Sequence, residues 1–290
     1  MNRKRVRQWA EAVAARIAYL LFGVLPVDVA SALGGWLGRK VGYRLPVSRR
    51  ARRNLERAYP EMDSAERENL LRRMWDNLGR TAAEYPHVHA MSVGAGKRIE
   101  LVGLEHVESA LAEGRGIIFF SAHCANWEAF GRVTTVVGVP MNMVYRAPNN
   151  PSTEWLFVRR GNRGAEMLPK GSKGARRSLE LLRKGKALGM LLDQKMNDGI
   201  AVPFFGRDAM TAPALAQFAL KFGCPVLPAH AVRLRGAHFR VIVEPPIAIP
   251  ETEERHTAIL STMTEVNRII EGWIRGHPDQ WLWLHRRWPD

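Results

Sequence analysis

Gly116–Phe130 reads GIIFFSAHCANWEAF, and its interpretation decides how the rest of the chain is arranged. Ile117–Phe120 is an apolar run of β-branched and aromatic residues entered through Gly114-Arg115-Gly116. Such a run suits a strand buried on both faces. Ser121–Ala125 is then the turn at the strand's carboxyl end. Asn126 is a good N-cap, and Trp127, Phe130, Val133 and Val137 follow at helical spacing. The pattern predicts a helix from Trp127, with Glu128 in its first turn.

On one regular helix, positions five apart lie about 140° from each other. His123 and Glu128 therefore meet only if the histidine sits in the turn and the glutamate opens the helix. A carboxylate holding one imidazole nitrogen leaves the other free to take a proton from a hydroxyl, as a general base must. Spacing alone equally allows a plainer arrangement, in which Glu128 complements the helix dipole and His123 merely ends the strand.

Strands and helices alternate on either side of this stretch from Val102 onward, the pattern of an α/β sheet with mostly parallel strands flanked by helices. A helix at His106–Ala112 leads into the opening strand. Val139–Tyr145 reads as a strand ending at Arg146, Thr153–Arg163 as a helix, Lys173–Arg183 as another, and Ala187–Leu192 as a strand stopping at Asp193. Polar residues at the carboxyl ends of parallel strands converge on one crevice, so His123, Arg146 and Asp193 should share an edge. Further on, Ile200–Phe205 is apolar and Thr211 is placed to cap a helix over Pro213–Phe222. Pro225–Val232 and Phe239–Val243 read as strands, antiparallel and closing one side of the sheet. Glu251–Ile274 is a long closing helix. Trp281, Trp283 and Trp288 surround His285, Arg286 and Arg287 in a tail that packs on the core or rests at a headgroup layer.

Upstream, Arg3, Lys4, Arg5 and Arg7 precede a mostly apolar segment, Trp9–Leu25. Glu11 and Arg16 interrupt it, and Ile17–Pro26 is shorter than the roughly 20 apolar residues a span requires. No convincing cleavage site precedes Pro26, so the segment should be retained. Val29, Ala32, Leu33, Trp36, Leu37 and Val41 then recur at helical spacing. The two stretches suit a basic, tryptophan-bearing element in a membrane interface, or a pair of ordinary packed helices. Ser48–Arg53, SRRARR, is a solvated helix face or a site for headgroup phosphates. Ala65–Tyr85 reads as a helix with Glu84 near its end, a surface charge or a support for the site.

The chain has 290 residues, 46% apolar and 24% charged, with a formal charge of +15. That describes a globular body and excludes a disordered one, and the charge calls for a polyanionic partner: nucleic acid, anionic lipid or an acidic carrier protein. Cys124 and Cys224 are the two cysteines, without zinc spacing, which argues against a disulfide framework or structural metal. Cys124, beside His123, is either a nucleophile or a small buried turn residue.

His123-x4-Glu128, Arg53-Asn54-Leu55, Tyr145-Arg146, Leu192-Asp193-Gln194, Val202-Pro203-Phe204-Phe205-Gly206, Thr211 and Trp283-Leu284-His285-Arg286-Arg287-Trp288 stand in this order along nearly the whole chain. The set resembles the bacterial lipid A biosynthesis acyltransferase family, within the larger group of glycerolipid acyltransferases with a His-x4-Asp/Glu motif. The resemblance implies a glycerolipid acyltransferase-like α/β domain over residues 46–290 and a membrane-associated helical segment over residues 1–45. It also implies location at the cytoplasmic face of the inner membrane.

By the same resemblance, His123 is the base, Glu128 orients it, and the acceptor hydroxyl attacks the donor thioester without an acyl-enzyme intermediate. Arg160, with Arg159 and Arg163 as rivals, would bind acceptor phosphate or stabilise the oxyanion, and Arg146 is a further phosphate candidate. Asp193 would position an arginine or hold the crevice together. Phe204, Phe205 and Gly206 would shape a channel or be plain core. No role falls on Cys124, and Cys124-Ala125 replaces the aromatic and glycine that the family often has, which bears on the local turn.

The implied partners are an acyl carrier protein as donor, a lipid A precursor as acceptor and an anionic membrane surface, with a monomeric chain, no cofactor, no metal and no nucleic acid. Alternative acceptors are a lysophospholipid, an ornithine lipid or a phosphatidylinositol mannoside. Readings from other classes are a basic nucleic-acid-binding protein, for which no motif is present, a metal hydrolase lacking a second nearby histidine, and a non-catalytic lipid-binding member of the family.

Overall fold

A computed structural model describes residues 3–132, 134–148, 150–158, 164–250 and 254–288. The chain begins with four helices, α1 (Arg3–Gly23), α2 (Val27–Lys40), α3 (Ser48–Ala58) and α4 (Ser64–Glu84). Then come β1 (Ile99–Val102), α5 (Leu104–Ala112), β2 (Ile117–Ser121), α6 (Thr134–Val137), β3 (Met141–Tyr145), α7 (Trp155–Val158) and β4 (Met167–Pro169). After these follow α8 (Ser172–Arg183), β5 (Ala187–Leu191), β6 (Ile200–Phe204), β7 (Arg207–Thr211), α9 (Ala214–Phe222), β8 (Val226–Arg235), β9 (His238–Val243) and α10 (Arg255–Gly276).

Seven strands form one sheet in the order β1-β9-β8-β2-β5-β3-β4, and β6 and β7 form a separate antiparallel hairpin. β2 lies in the middle. Its residues alternate between the two cores, Ile118 and Phe120 on one side and Ile117 and Phe119 on the other, all buried. Burial on both faces is why the sequence there runs apolar without alternation. Strands β8, β2, β5, β3 and β4 are parallel along the sheet, as expected. The β8–β9 pair is antiparallel, but it does not close the sheet, because β1 adds outside β9 in parallel.

Several local expectations differ from the fold. The helix expected from Trp127 is a 3-10 segment, Trp127–Arg132, followed by the single turn α6. Thr211 does not cap α9, whose first turn follows Pro213. Its hydroxyl donates to the Ala209 carbonyl and accepts from Arg287 and Asn267. Phe204 and Phe205 belong to the core, among Tyr59, Trp281, Trp283 and Trp288. The tryptophan tail also packs inward. Trp281 and Trp283 are fully buried, and buried Arg287 lies over the Phe204 ring while donating to Met210 O, Thr211 Oγ1 and Asn267 Oδ1.

The stripe of α2 points the opposite way from an ordinary packed helix. Its buried face is Ala30, Ser31, Gly34, Gly35 and Gly38, and Val29, Leu33 and Trp36 face outward. Glycine is required here by close approach. A Cβ at Gly38 would stand 1.9 Å from the Trp75 carbonyl oxygen of α4, and one at Gly34 would stand 2.4 Å from that of Gly79. α1 likewise exposes Trp9, Ile17, Leu20 and Leu21. No helix among the described residues is long and apolar enough to cross a membrane.

Candidate active site

The parallel register of β2 and β5 pairs Ser121 with Leu191, and the Leu192 N–H still donates to the Ser121 carbonyl. Two residues beyond that pair on each strand stand His123 and Asp193, which register brings face to face. The Asp193 Oδ1 lies 2.8 Å from His123 Nδ1, and its Oδ2 accepts the His123 backbone N–H at 2.9 Å and the Trp281 indole N–H at 2.8 Å. Asp193 is fully buried. Burial works to raise its pKa, but the electrostatic pull and hydrogen bonds of the adjacent His123 ring and backbone outweigh it and hold the carboxyl well below the usual range.

The carboxylate on His123 Nδ1 is thus that of Asp193 and not of Glu128. The 3-10 geometry of Trp127–Arg132 carries Glu128 onward, where it lines the same cleft as His123. Its backbone N–H is capped by Asn126 Oδ1 at 3.2 Å. Between them, Ala125 takes a left-handed backbone, φ 50°, a region disfavoured for a residue with a Cβ. Three hydrogen bonds hold it there: its N–H donates to the Gln280 carbonyl, and its own carbonyl accepts from Asn77 Nδ2 and Thr81 Oγ1. The glycine that the turn's conformation favours is therefore dispensable at this position.

Glu84 is not a surface charge but a support for the site. It is completely buried, accepts from Ser31 Oγ at 2.7 Å and Asn126 Nδ2 at 2.9 Å, and pairs with the Arg233 guanidinium. Arg233 reaches on to Asn77 and Thr81. One buried ion pair therefore ties α2, α4 and β8 to Asn126, the residue that closes the His123 turn.

The tail completes the site. The Leu282 N–H donates to the His123 carbonyl, and Cys124 forms a β-bridge with Trp281. His285 comes alongside, its ring 5.2 Å from that of His123. Gln194 stands between them, its amide nitrogen 3.2 Å from His123 Nε2 and 2.9 Å from His285 Nε2. Burial lowers the His285 pKa to about 4, so its ring is neutral near pH 7. Cys124 is buried, and burial pushes its thiol well up, which suits a packed turn residue and not a nucleophile.

A cleft of about 430 Å³ opens over this group. Besides His123 and Glu128 it is lined by Arg132, Tyr145, Arg146 and Lys170, with Met143, Met167 and Leu191 as apolar floor. Arg146 is exposed at the end of β3, on the edge where the strand pattern put it. Desolvation lowers the Lys170 pKa. Arg159, Arg160 and Arg163 lie outside the described residues. Among the described residues no group of three metal-ligating side chains comes together.

Residues 2–290 match the family described as bacterial lipid A biosynthesis acyltransferase. The chain belongs to this family. It is 26% identical over 270 residues to a lipid A biosynthesis acyltransferase of Haemophilus influenzae, covering 91% of this chain and 83% of that one. It is 28% identical over 279 residues to the lipid A biosynthesis lauroyltransferase of Escherichia coli, covering 91% and 86%. A phosphatidylinositol mannoside acyltransferase of Mycolicibacterium smegmatis is 25% identical over 217 residues, covering 72% and 71%. The chain is accordingly an acyltransferase.

Lys170 and the functions of Gln194, His285 and Trp281 were not legible in the sequence. Lys170 follows a strand of three residues, Met167–Pro169, too short to give a periodic signal. His285 and Trp281 lie in a tail without regular structure. Gln194 directly follows a strand-end carboxylate, which is the signal that points to it.

Proposed function

We propose that the chain transfers a fatty acyl group from the thioester of an acyl carrier protein to a hydroxyl of a lipid A precursor, at the cytoplasmic face of the inner membrane. The observation that carries this reading is the pairing of His123 Nδ1 with buried Asp193 in the cleft. With the Nδ1 proton held by Asp193, His123 Nε2 takes the proton of the acceptor hydroxyl as its oxygen attacks the thioester carbonyl. Negative charge develops on the carbonyl oxygen in a cleft bearing Arg132, Arg146 and Lys170. Collapse expels the carrier thiolate, which takes the proton back from His123. The products are an ester and the free carrier thiol. Glu128 faces the acceptor and binds its hydroxyl groups.

The acceptor assignment draws on relatives named for lipid A, among them the lauroyltransferase. The relatives named for phosphatidylinositol mannoside make acceptor choice the decisive test. Purified protein, given acyl-carrier thioester, should acylate a tetra-acylated lipid A precursor in preference to a lysophospholipid or a phosphatidylinositol mannoside, and His123→Ala should lower the rate by at least about 10²-fold. Preference for another acceptor would overturn the lipid A reading and keep the chemistry. Full activity in His123→Ala would overturn the mechanism.

The outward apolar faces of α1 and α2 and the basic residues at the start of α1 support an interfacial position on an anionic bilayer. Cosedimentation with vesicles containing anionic lipid should fall at least about tenfold in Trp9→Glu/Leu20→Glu/Trp36→Glu, given ~0.8 kcal/mol per buried CH₂. Undiminished binding of that variant would remove these helices from the membrane contact.

A further inference from the structure

The Gln194 side chain stands between two histidine nitrogens. An amide nitrogen carries two hydrogens and accepts nothing, so both His123 Nε2 and His285 Nε2 must present lone pairs to it. The His123 proton then lies on Nδ1, where Asp193 Oδ1 accepts it at 2.8 Å. Turning the amide over would put its oxygen against Nε2–H and leave a bare Nδ1 lone pair facing the carboxylate, so in a neutral ring the two contacts fix each other. We infer that Gln194, steadied by His285, is a positioning residue for the base: its amide hydrogens hold His123 in the Nδ1–H form with the Nε2 lone pair covered, and the acceptor hydroxyl reaches that lone pair by taking the place of Gln194.

This deepens the proposed reading of His123 as base and rests on it. At rest, water finds the lone pair already engaged. A donor thioester held in the cleft without an acceptor is therefore spared a general-base attack by water, while a hydroxyl bound by its own contacts displaces the amide. The His123 ring contacts Asp193 just past the end of β5 and His285 on the tail, and the cleft it lines also bears Glu128 in the 3-10 segment, Lys170 just past β4, Arg146 just past β3 and Arg132 beyond Glu128. Among these, His285 faces the same amide from the opposite side and is kept neutral by burial.

The test is ¹⁵N NMR of the histidine rings in the full chain, near pH 7 and without substrate, comparing the wild type with Gln194→Met and Gln194→Glu. The wild type should show His123 protonated at Nδ1 and bare at Nε2, with a hydrogen-bonded shift at Nε2. Gln194→Met, similar in size but without a donor, should move the Nε2 signal toward its free position, lower the transfer kcat about tenfold and raise acceptor-free thioester hydrolysis relative to transfer. Gln194→Glu puts an acceptor in the same place and should protonate both nitrogens. A wild-type ring protonated at Nε2 would overturn the inference, as would a Gln194→Met spectrum and hydrolysis-to-transfer ratio identical to wild type. The ring signals are read without donor or acceptor, so a failed acceptor assignment leaves this result standing, and the wild-type spectrum decides the protonation pattern even if a variant does not fold.

Discussion

Asp193→Asn lowers kcat by about 10³-fold and leaves the protein folded. The asparagine keeps the size of the side chain and one oxygen, which still accepts the His123 backbone N–H and the Trp281 indole N–H in place of Asp193 Oδ2. Its amide group then takes the position of Oδ1, facing His123 Nδ1 across 2.8 Å. An amide donates there, so the ring must present a lone pair at Nδ1 and carry its proton on Nε2. That is the wrong tautomer for accepting a proton from a hydroxyl, and the imidazolium formed during transfer loses its counter-charge. Steady-state transfer assays with circular dichroism on the same preparation test this. Activity within tenfold of wild type in a folded Asp193→Asn protein would show that Asp193 does not set the base. Glu128→Gln, by contrast, lowers kcat/KM through acceptor binding and leaves the His123 ring spectrum as it was.

The largest loss of stability is expected from Glu84→Ala. The Arg233 side chain is 8% exposed and Glu84 not at all, so the substitution strands a guanidinium in the interior among Asn77, Thr81 and the Gly236 carbonyl. Breaking one side of a buried pair costs about 3–5 kcal/mol, a fall in Tm on the order of 10 °C for a chain of this length. Removing both charges, in Glu84→Ala/Arg233→Met, recovers much of that loss. Thermal unfolding of the two variants checks the comparison. A single variant that melts within a degree of wild type would mean the pair carries no net weight. Activity should fall with stability, because Asn126 loses its Glu84 contact and the turn beside His123 loosens.

The central strand, the histidine at its end and the strand that stops at Asp193 were all legible, because an apolar run bounded by polar residues leaves few alternatives. The pairing of His123 with Asp193 was not. It depends on β2 and β5 being neighbours although β3 and β4 lie between them in sequence, and only sheet order supplies the register. The family resemblance, and not spacing, named Glu128 as the residue that orients the base, whereas the carboxylate on His123 Nδ1 is that of Asp193. In α2 the apolar periodicity was real but its direction was hidden. The packed face is small residues, where contact comes from backbone approach and not from side-chain bulk. Glu84 could not be placed because its partner is 149 residues away in β8. The tail from Trp281 to Trp288 has no period to read, since its side chains are held by individual pockets in the core.

That tail has a consequence for how the protein comes into being. Residues 280–282 supply the Gln280 carbonyl for Ala125, the Trp281 indole for Asp193 and the Leu282 amide for His123. A chain emerging from the ribosome with its first element leading can lay down the sheet and its helices while the turn at His123 still lacks two of its hydrogen-bond partners and Asp193 one. The histidine is made early and set late. During synthesis, then, the end of β2 and the start of its turn wait for their last partners until the translation machinery has released residue 282.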